Sequence, residues 1–198
     1  MLDSLRIRPR TEAEWLGPFP VAEFFDDPAR PLEVDLGSGK GRFLLARAAK
    51  HPEINFLGID RMLRRIRKVD NRARRLDLAN IRLFRCEGYY AVTYLLPPAS
   101  VDAIYVFFPD PWPKARHESH RIFNEPFLDS LHRALKPGAV LHFATDHAPY
   151  FDAVSPFLSA DPRFAPADPY VPPPDEQTDF EAYYIQSKPI HRLSLRKR

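Results

Sequence analysis

Short apolar runs alternate with segments whose apolar residues recur every third or fourth position, and the alternation continues through most of the chain. LEVDL (32–36) follows Pro31, ends at a glycine cluster and reads as a buried strand. RFLLARAAK (42–50) is rich in helix formers and reads as the helix after it. INFLGID (54–60) predicts a second strand that ends in an acid. Over 61–79 the stripe Met62, Ile66, Val69, Ala73 and Leu76 predicts a helix with one buried face. NIRLFRCE (80–87) and VDAIYVFF (101–108) predict a third and a fourth strand. FNEPFLDSLHRALK (123–136) predicts a helix stopped by Pro137-Gly138, with AVLHFATD (139–146) as a fifth strand. Strands alternating with helices imply right-handed crossovers and a mostly parallel sheet covered on both faces.

The last quarter breaks this rhythm. Residues 149–174 hold eight of the 22 prolines, which predicts a Pro-rich extended connector over 149–177. Beyond it, FEAYYIQS and IHRLSLRK alternate loosely and predict an antiparallel strand closing the sheet. With residues 1–30 as an N-terminal extension, 198 residues at 44% hydrophobic and 28% charged fit one globular domain. No apolar run approaches the roughly 18 residues of a membrane span. The stretch MLDSLRIRPRTEAEW has no signal-peptide core, so a cytoplasmic location is expected. The single cysteine, Cys86, excludes an internal disulfide and a cysteine-based metal cage. His117, His120, His142 and His147 lack compact ligand spacing, and no metal is expected.

The chemistry begins where the strands end. In an open α/β sheet, ligands bind outside the carboxyl ends of the strands, near the point where strand order reverses. The first strand carries Asp35 and runs into Gly37-Ser38-Gly39-Lys40-Gly41, which opens a helix. The spacing is G-x-G-x-G, not the G-x-G-x-x-G that cradles a dinucleotide pyrophosphate. Asp35 would repel a diphosphate but suits the cationic amino-acid part of S-adenosylmethionine. Asp60 ends the second strand, where an acid bonds ribose hydroxyls, and Glu87 ends the third, beside the adenine edge. Each feature alone is common in surface turns. Three acids ending three successive strands beside a glycine triplet favour a nucleoside cofactor, and S-adenosylmethionine over NAD.

The fourth strand runs into FFPDPWPKARH (107–117), where Asp110 sits between Pro109 and Pro111 and Trp112 follows. Proline fixes its own φ and biases its predecessor toward extended geometry, so the acid is held in a stiff loop. Asp-Pro-Trp looks like the acid or Asn-Pro-Pro-aromatic loops of enzymes that methylate base nitrogens. The carboxylate can accept from a base's amino edge while the ring stacks on its face. Lys114, Arg116, His117, His120 and Arg121 place positive charge beside it. Residues 61–75 add eight Lys or Arg against one acid, Asp70, and the apolar stripe must turn these charges outward, where phosphates can dock. A merely solvated basic helix face is the plainer account of that run. The net charge of +3 adds little by itself.

FFPDPWPKARH, EVDLGSGKG, FLGID, FATDHAPY and TDFE together resemble the tRNA (guanine-N7)-methyltransferase family, over roughly residues 32–195. The resemblance implies a Rossmann-like class I methyltransferase fold: a mostly parallel seven-stranded sheet with helices on both faces and an antiparallel C-terminal strand. It implies methyl transfer from S-adenosylmethionine to N7 of a guanine in the tRNA variable loop. It places Asp35, Gly37, Gly39, Asp60, Glu87 and Asp110 around the cofactor, with Asp110 catalytic. Lys114, Asp146, Thr178 and Glu181 would contact the guanosine, and Arg116, His117, His120 and Arg121 the RNA. Three departures from the family pattern stand out. Only Arg6, Arg8 and Arg10 remain of an arginine-rich N-terminal arm, Glu118 and Ser119 dilute the basic run, and Ala182-Tyr183-Tyr184 replace glycines. A methyltransferase acting on a small molecule or protein, and a non-catalytic RNA-binding module, are the alternative readings. Monomer and homodimer are both open.

Overall fold

The structure is a computed structural model that describes Pro18 and residues 21–112, 121–184 and 188–198. After a short helix α1 (Val21–Phe24), strands and helices alternate as β1 (Leu32–Leu36), α2 (Arg42–Lys50), β2 (Asn55–Asp60), α3 (Leu63–Arg75) and β3 (Ile81–Arg85). A helical turn α4 (Gly88–Tyr90) continues as a π-helical turn over Ala91–Leu95. Then come β4 (Val101–Phe107), α5 (Glu125–Ala134), β5 (Leu135–Thr145), α6 (Ala148–Ser159), β6 (Phe164–Ala167), α7 (Asp179–Tyr184) and β7 (His191–Lys197). The strands form one seven-stranded sheet in the order β3-β2-β1-β4-β5-β7-β6. Strands β1 to β5 run parallel, and β7 lies antiparallel between β5 and β6. Strand order reverses between β1 and β4, which opens a crevice at their carboxyl ends.

The strands' two-residue period divides the core between the two sheet faces. Val34, Leu36, Leu57, Ile59, Ile104 and Val106 pack on one face under α5, α6 and the π turn. Phe56 and Leu83 face the other way, against Leu44 and Leu45 of α2 and Ile66 and Val69 of α3. No helix among the described residues is long and apolar enough to cross a membrane.

Four expectations give way to the structure. The helix at 123 ends at Ala134, and the chain enters β5 at once. Pro137-Gly138 lies inside that strand, in an irregularity where the partner of Val101 is Leu135 and that of Ala103 is Val140. The extra residues bulge, so the Pro-Gly pair breaks no ladder. The proline-rich segment is not an extended connector at its start: α6 runs through it. Pro149 sits in the first turn, where an amide hydrogen has no helical partner, and Tyr150, Val154 and Leu158 repeat every four residues toward the core. Pro166 then lies on β6, an edge strand that tolerates a missing donor. FEAYY is helical, because Thr178 and Glu181 form a reciprocal capping box. Finally, the α3 stripe is shorter than its pattern: Ile66, Val69 and Ala73 are buried, but Met62 and Leu76 at its ends are exposed.

Gly41 lies where the start of α2 meets α3. Its φ of +76° is left-handed, and an added Cβ would lie 2.6 Å from a Val69 methyl on α3. Gly41→Ala combines backbone strain with overpacking and is expected to cost roughly 2–4 kcal/mol. Chemical denaturation of the variant against wild type measures it; an unchanged midpoint contradicts the account.

Candidate active site

Glu33 and Asp35 project from the same face of β1, two residues apart, and both are buried. Glu33 is paired: Arg47 from α2 donates to both its oxygens at 2.6 and 2.9 Å, and the Tyr105 hydroxyl donates at 3.0 Å. Asp35 receives no donor from the described residues. Burial first, and the nearby Asp60 charge second, push its carboxyl up to about 7. It opens on a cavity of about 590 Å³, with Gly37 and Ser38 on the turn side and Thr178, Phe180 and Tyr183 on the other. The Ser38 hydroxyl in the same turn is buried without a hydrogen-bond partner among the described residues.

The amides of the glycine turn are already engaged. Gly37 and Ser38 donate to the Ile59 carbonyl at 2.8 and 3.0 Å, and Gly39 donates to Asp60 Oδ2 at 3.1 Å. The turn therefore leans on the end of β2 and offers no bare nest of N–H groups to a diphosphate. At Gly37, φ is +89° and the place of a Cβ is empty space, so a ligand can approach the backbone there.

A second cavity of about 360 Å³ lies along the ends of β2, β3 and β4 and includes Asp60, Glu87, Asp110 and Trp112 in its wall. Gly37, Arg65, Phe107 and Phe108 belong to both walls, so the two spaces adjoin along one seam. Asp60 is buried, and its carboxylate accepts from the Met62 amide at 2.7 Å, from Gly39, and from Arg65 at 3.2 Å. Among these partners only Arg65 is a half-exposed side chain, able to yield its place. Glu87 caps α4, accepting from the Tyr89 and Tyr90 amides at 3.0 and 2.8 Å.

Asp110 is exposed on the loop after β4, between two residues with left-handed backbone: Phe108 at φ +51° and Trp112 at φ +43°. For bulky aromatics this conformation is strained by roughly 1 kcal/mol or more each. The surroundings hold it. Phe108 donates its amide to Ala144 at 2.8 Å, Phe180 packs on its ring with centroids 4.6 Å apart, and Arg121 donates to the Pro111 carbonyl at 3.2 Å.

Six of the expected cofactor residues, Asp35, Gly37, Gly39, Asp60, Glu87 and Asp110, thus fall on the walls of the two adjoining cavities. Of the expected substrate residues, Thr178 lines the larger cavity. Glu181 is fully buried, bonded to the Thr178 amide at 3.0 Å and to Arg192, and lines neither cavity. Asp146 pairs with Lys188 at 3.1 Å and also lines neither. Arg121, expected to meet RNA, is half-buried, with its guanidinium 5.4 Å from the Tyr150 ring centroid; in this position it braces the Asp110 loop. Lys114, Arg116, His117 and His120 lie outside the described residues. Residue patterns missed Arg65 at the seam, and they missed Tyr183 on the wall of the larger cavity because FEAYY read as a strand.

Glycine turn, strand-end acids and this strand order define a class I, Rossmann-like methyltransferase. A family model described as "Putative methyltransferase" matches residues 29–188. The chain belongs to the tRNA (guanine-N7)-methyltransferase family. A member from Rubrobacter xylanophilus is 39% identical over 77% of this chain and 67% of its own length. Another from Halorhodospira halophila is 36% identical over 86% of this chain and 76% of its own length. Against the Corynebacterium diphtheriae member, the match spans 72% of this chain but 55% of the relative. The crystal structure of the 16S rRNA methyltransferase KamB shares the fold at a TM-score of 0.64, 16% identity and coverage of 96% of this chain and 95% of that one.

Asp35 sets a pH dependence whose sign is fixed. Its folded pKa lies above the unfolded value, so the native state holds the extra proton and stability falls as pH rises from about 4 to 7. Asp35→Asn removes that slope and is expected to make the ligand-free protein more stable at pH 8, by up to ~4 kcal/mol. Denaturation of both proteins across pH 4–8 isolates the effect, and a pH-independent difference between them would show that Asp35 titrates normally.

Proposed function

We propose that this protein transfers a methyl group from S-adenosylmethionine to N7 of a guanine in the variable loop of tRNA. The observation that carries the reading is the seam between the two cavities, where a buried, unpartnered carboxylate faces the space that a rigid Asp-Pro-Trp loop borders from the other side. The residues fit this cofactor: Asp35 lacks a cation, Gly37 leaves room at the turn, and the combined space holds a nucleoside with an amino-acid tail. When bound, S-adenosylmethionine supplies an electrophilic methyl on a sulfonium. Asp35 would hold the charged amino-acid end, Asp60 the ribose hydroxyls in place of Arg65, and Glu87 the adenine edge.

Guanine N7 has an in-plane lone pair and no proton, so its attack needs no general base. Asp110 then has two tasks. It accepts from the amino edge of the base, which aims N7 along the seam, and its charge favours the cation that develops on the purine. In-line positioning of this kind supplies roughly 7–11 kcal/mol in well-ordered cases. Thr178 stands at the far wall of the cavity, and its capping box with Glu181 fixes the start of α7. By the family resemblance Asp146, just after β5, and Lys114 would also contact the guanosine.

The outer face of α3 serves the RNA backbone. Arg64, Arg67, Lys68 and Arg75 are exposed and have no carboxylate partner among the described residues. Arg65 on the same helix reaches the seam, so strand and pocket are continuous. A tRNA substrate supports a cytoplasmic location.

The deciding experiment is incubation of the protein with unmodified tRNA and labelled cofactor, followed by mapping of the methylated base; methylation at any atom other than guanine N7 overturns the proposal. Asp110→Ala is expected to lower kcat about 100-fold with tRNA affinity retained, and near-normal turnover at saturating substrates would remove Asp110 from its role. Reversing two charges, Arg67→Glu with Lys68→Glu, is expected to weaken tRNA binding and to reduce the slope of log K against log salt by about two. An unchanged salt slope would return α3 to the status of a solvated surface helix.

A further inference from the structure

Tyr183 is the most exposed large apolar side chain of the described residues, at 75%, yet it belongs to the wall of the larger cavity. Its position is set from below. The Thr178–Glu181 capping box starts α7, Glu181 is bonded to Arg192 on β7, and Phe180 packs against Phe108. The ring therefore stands at the rim on a rigid support. Lys40, from the glycine turn across the cavity, places its ammonium 5.9 Å from the Tyr183 centroid, at cation–π range. Lys40 is exposed and has no carboxylate partner among the described residues. An aromatic face left in water beside an unpaired ammonium, at the mouth of a pocket, is the arrangement that single-stranded nucleic acid uses: a base stacks and its phosphate finds a cation.

We infer that Tyr183 and Lys40 form a nucleotide subsite at the rim of the cavity, where the ring stacks on the base adjoining the reacting guanosine and the ammonium meets that nucleotide's phosphate. This rests on the tRNA methyltransferase reading above and adds to it a contact outside the reacting base. The subsite takes a nucleotide by its π-face and charge, not by its hydrogen-bonding edge. It thus grips the strand without demanding a particular base. It also holds the neighbour still while the guanosine is turned into the pocket.

The test uses the full-length protein and unmodified tRNA transcripts, each carrying one abasic nucleotide at a variable-loop position flanking the methylated guanosine. Tyr183→Ala is expected to raise KM for tRNA about tenfold while changing kcat less than about twofold, and Tyr183→Phe and Tyr183→Trp retain wild-type values. Lys40→Gln is expected to raise KM about threefold and to reduce the salt slope by about one. One abasic position is expected to cost wild type about tenfold and to cost Tyr183→Ala nothing further, because base and ring act as a pair. Cofactor affinity, measured by titration in each variant, separates any effect on the larger cavity, which both side chains also line, from the effect on tRNA. If Tyr183→Ala binds tRNA as wild type does, or if its loss adds to that of every abasic substitution, the subsite does not exist. If wild type methylates no tRNA at all, the methyltransferase reading falls and the subsite falls with it; an active wild type with an unaffected Tyr183→Ala sinks the subsite alone.

Discussion

Two carboxylates on one face of β1 meet opposite fates, and the site follows from the difference. Glu33 is buried with Arg47 and Tyr105 as donors, and it behaves as a structural ion pair. Asp35, one pleat further toward the crevice, is buried with no donor among the described residues. An unpaired buried carboxylate is expensive, and it persists only where the rest of the fold fixes it in place. Its register on both sides is fixed by the parallel ladder, opposite Gly58 on β2 and Tyr105 on β4. The sheet thus keeps a carboxyl in low dielectric at the point where the chain reverses strand order, and burial disfavours its ionisation as long as no counter-charge is present. A cationic ligand is the natural complement of its ionised form.

The same neighbourhood ties the C-terminal segment to the sheet. Arg47 reaches Glu33, the Tyr170 hydroxyl at 3.2 Å and Glu176 at 3.5 Å, while Lys50 adds Glu176 at 3.1 Å. Tyr170 in turn packs edge-on against Phe43 and Tyr105. Because Arg47 and Glu176 are largely buried, this network is worth more than a surface salt bridge of the same geometry. It delivers residues 178–183 to the cavity wall from far along the sequence. The wall of the pocket opposite the glycine turn is therefore built by a segment whose anchor is the ion pair of Glu33.

Much of this was legible in the chain, for reasons that differ by element. The parallel strands β1 to β5 announce themselves because a strand buried on both faces must be nearly all apolar. The strand-end acids stand out against that background, and all three reach the cavity walls. Segment 149–174 misled because proline content was weighed above period: Tyr150, Val154 and Leu158 fall on one helical stripe, and Pro149 occupies the one turn that accepts it. Thr178-x-x-Glu181 carries a capping-box signature that foretells α7, but the alternation of FEAYY masked it. The Arg47 network left no local trace at all. Its members lie up to 143 residues apart, from Glu33 to Glu176, and only the fold brings them together.

In the proposed reaction, the placement of strain lets the Asp110 loop orient a base without a long lever. Phe108 and Trp112 hold unfavourable backbone angles on either side of Asp110, and the two prolines remove the φ freedom between them. A loop so constrained loses little entropy when a planar ligand docks on it. Arg121 stiffens it further from below by binding the Pro111 carbonyl. Reaction at an unprotonated ring nitrogen asks for alignment above all, since no proton has to be moved. In the proposed reaction, rigidity in the Asp110 loop and the donor-free carboxyl of Asp35 are two halves of one device: the first would fix the acceptor and the second the methyl donor, with the seam between the cavities as the line along which they meet.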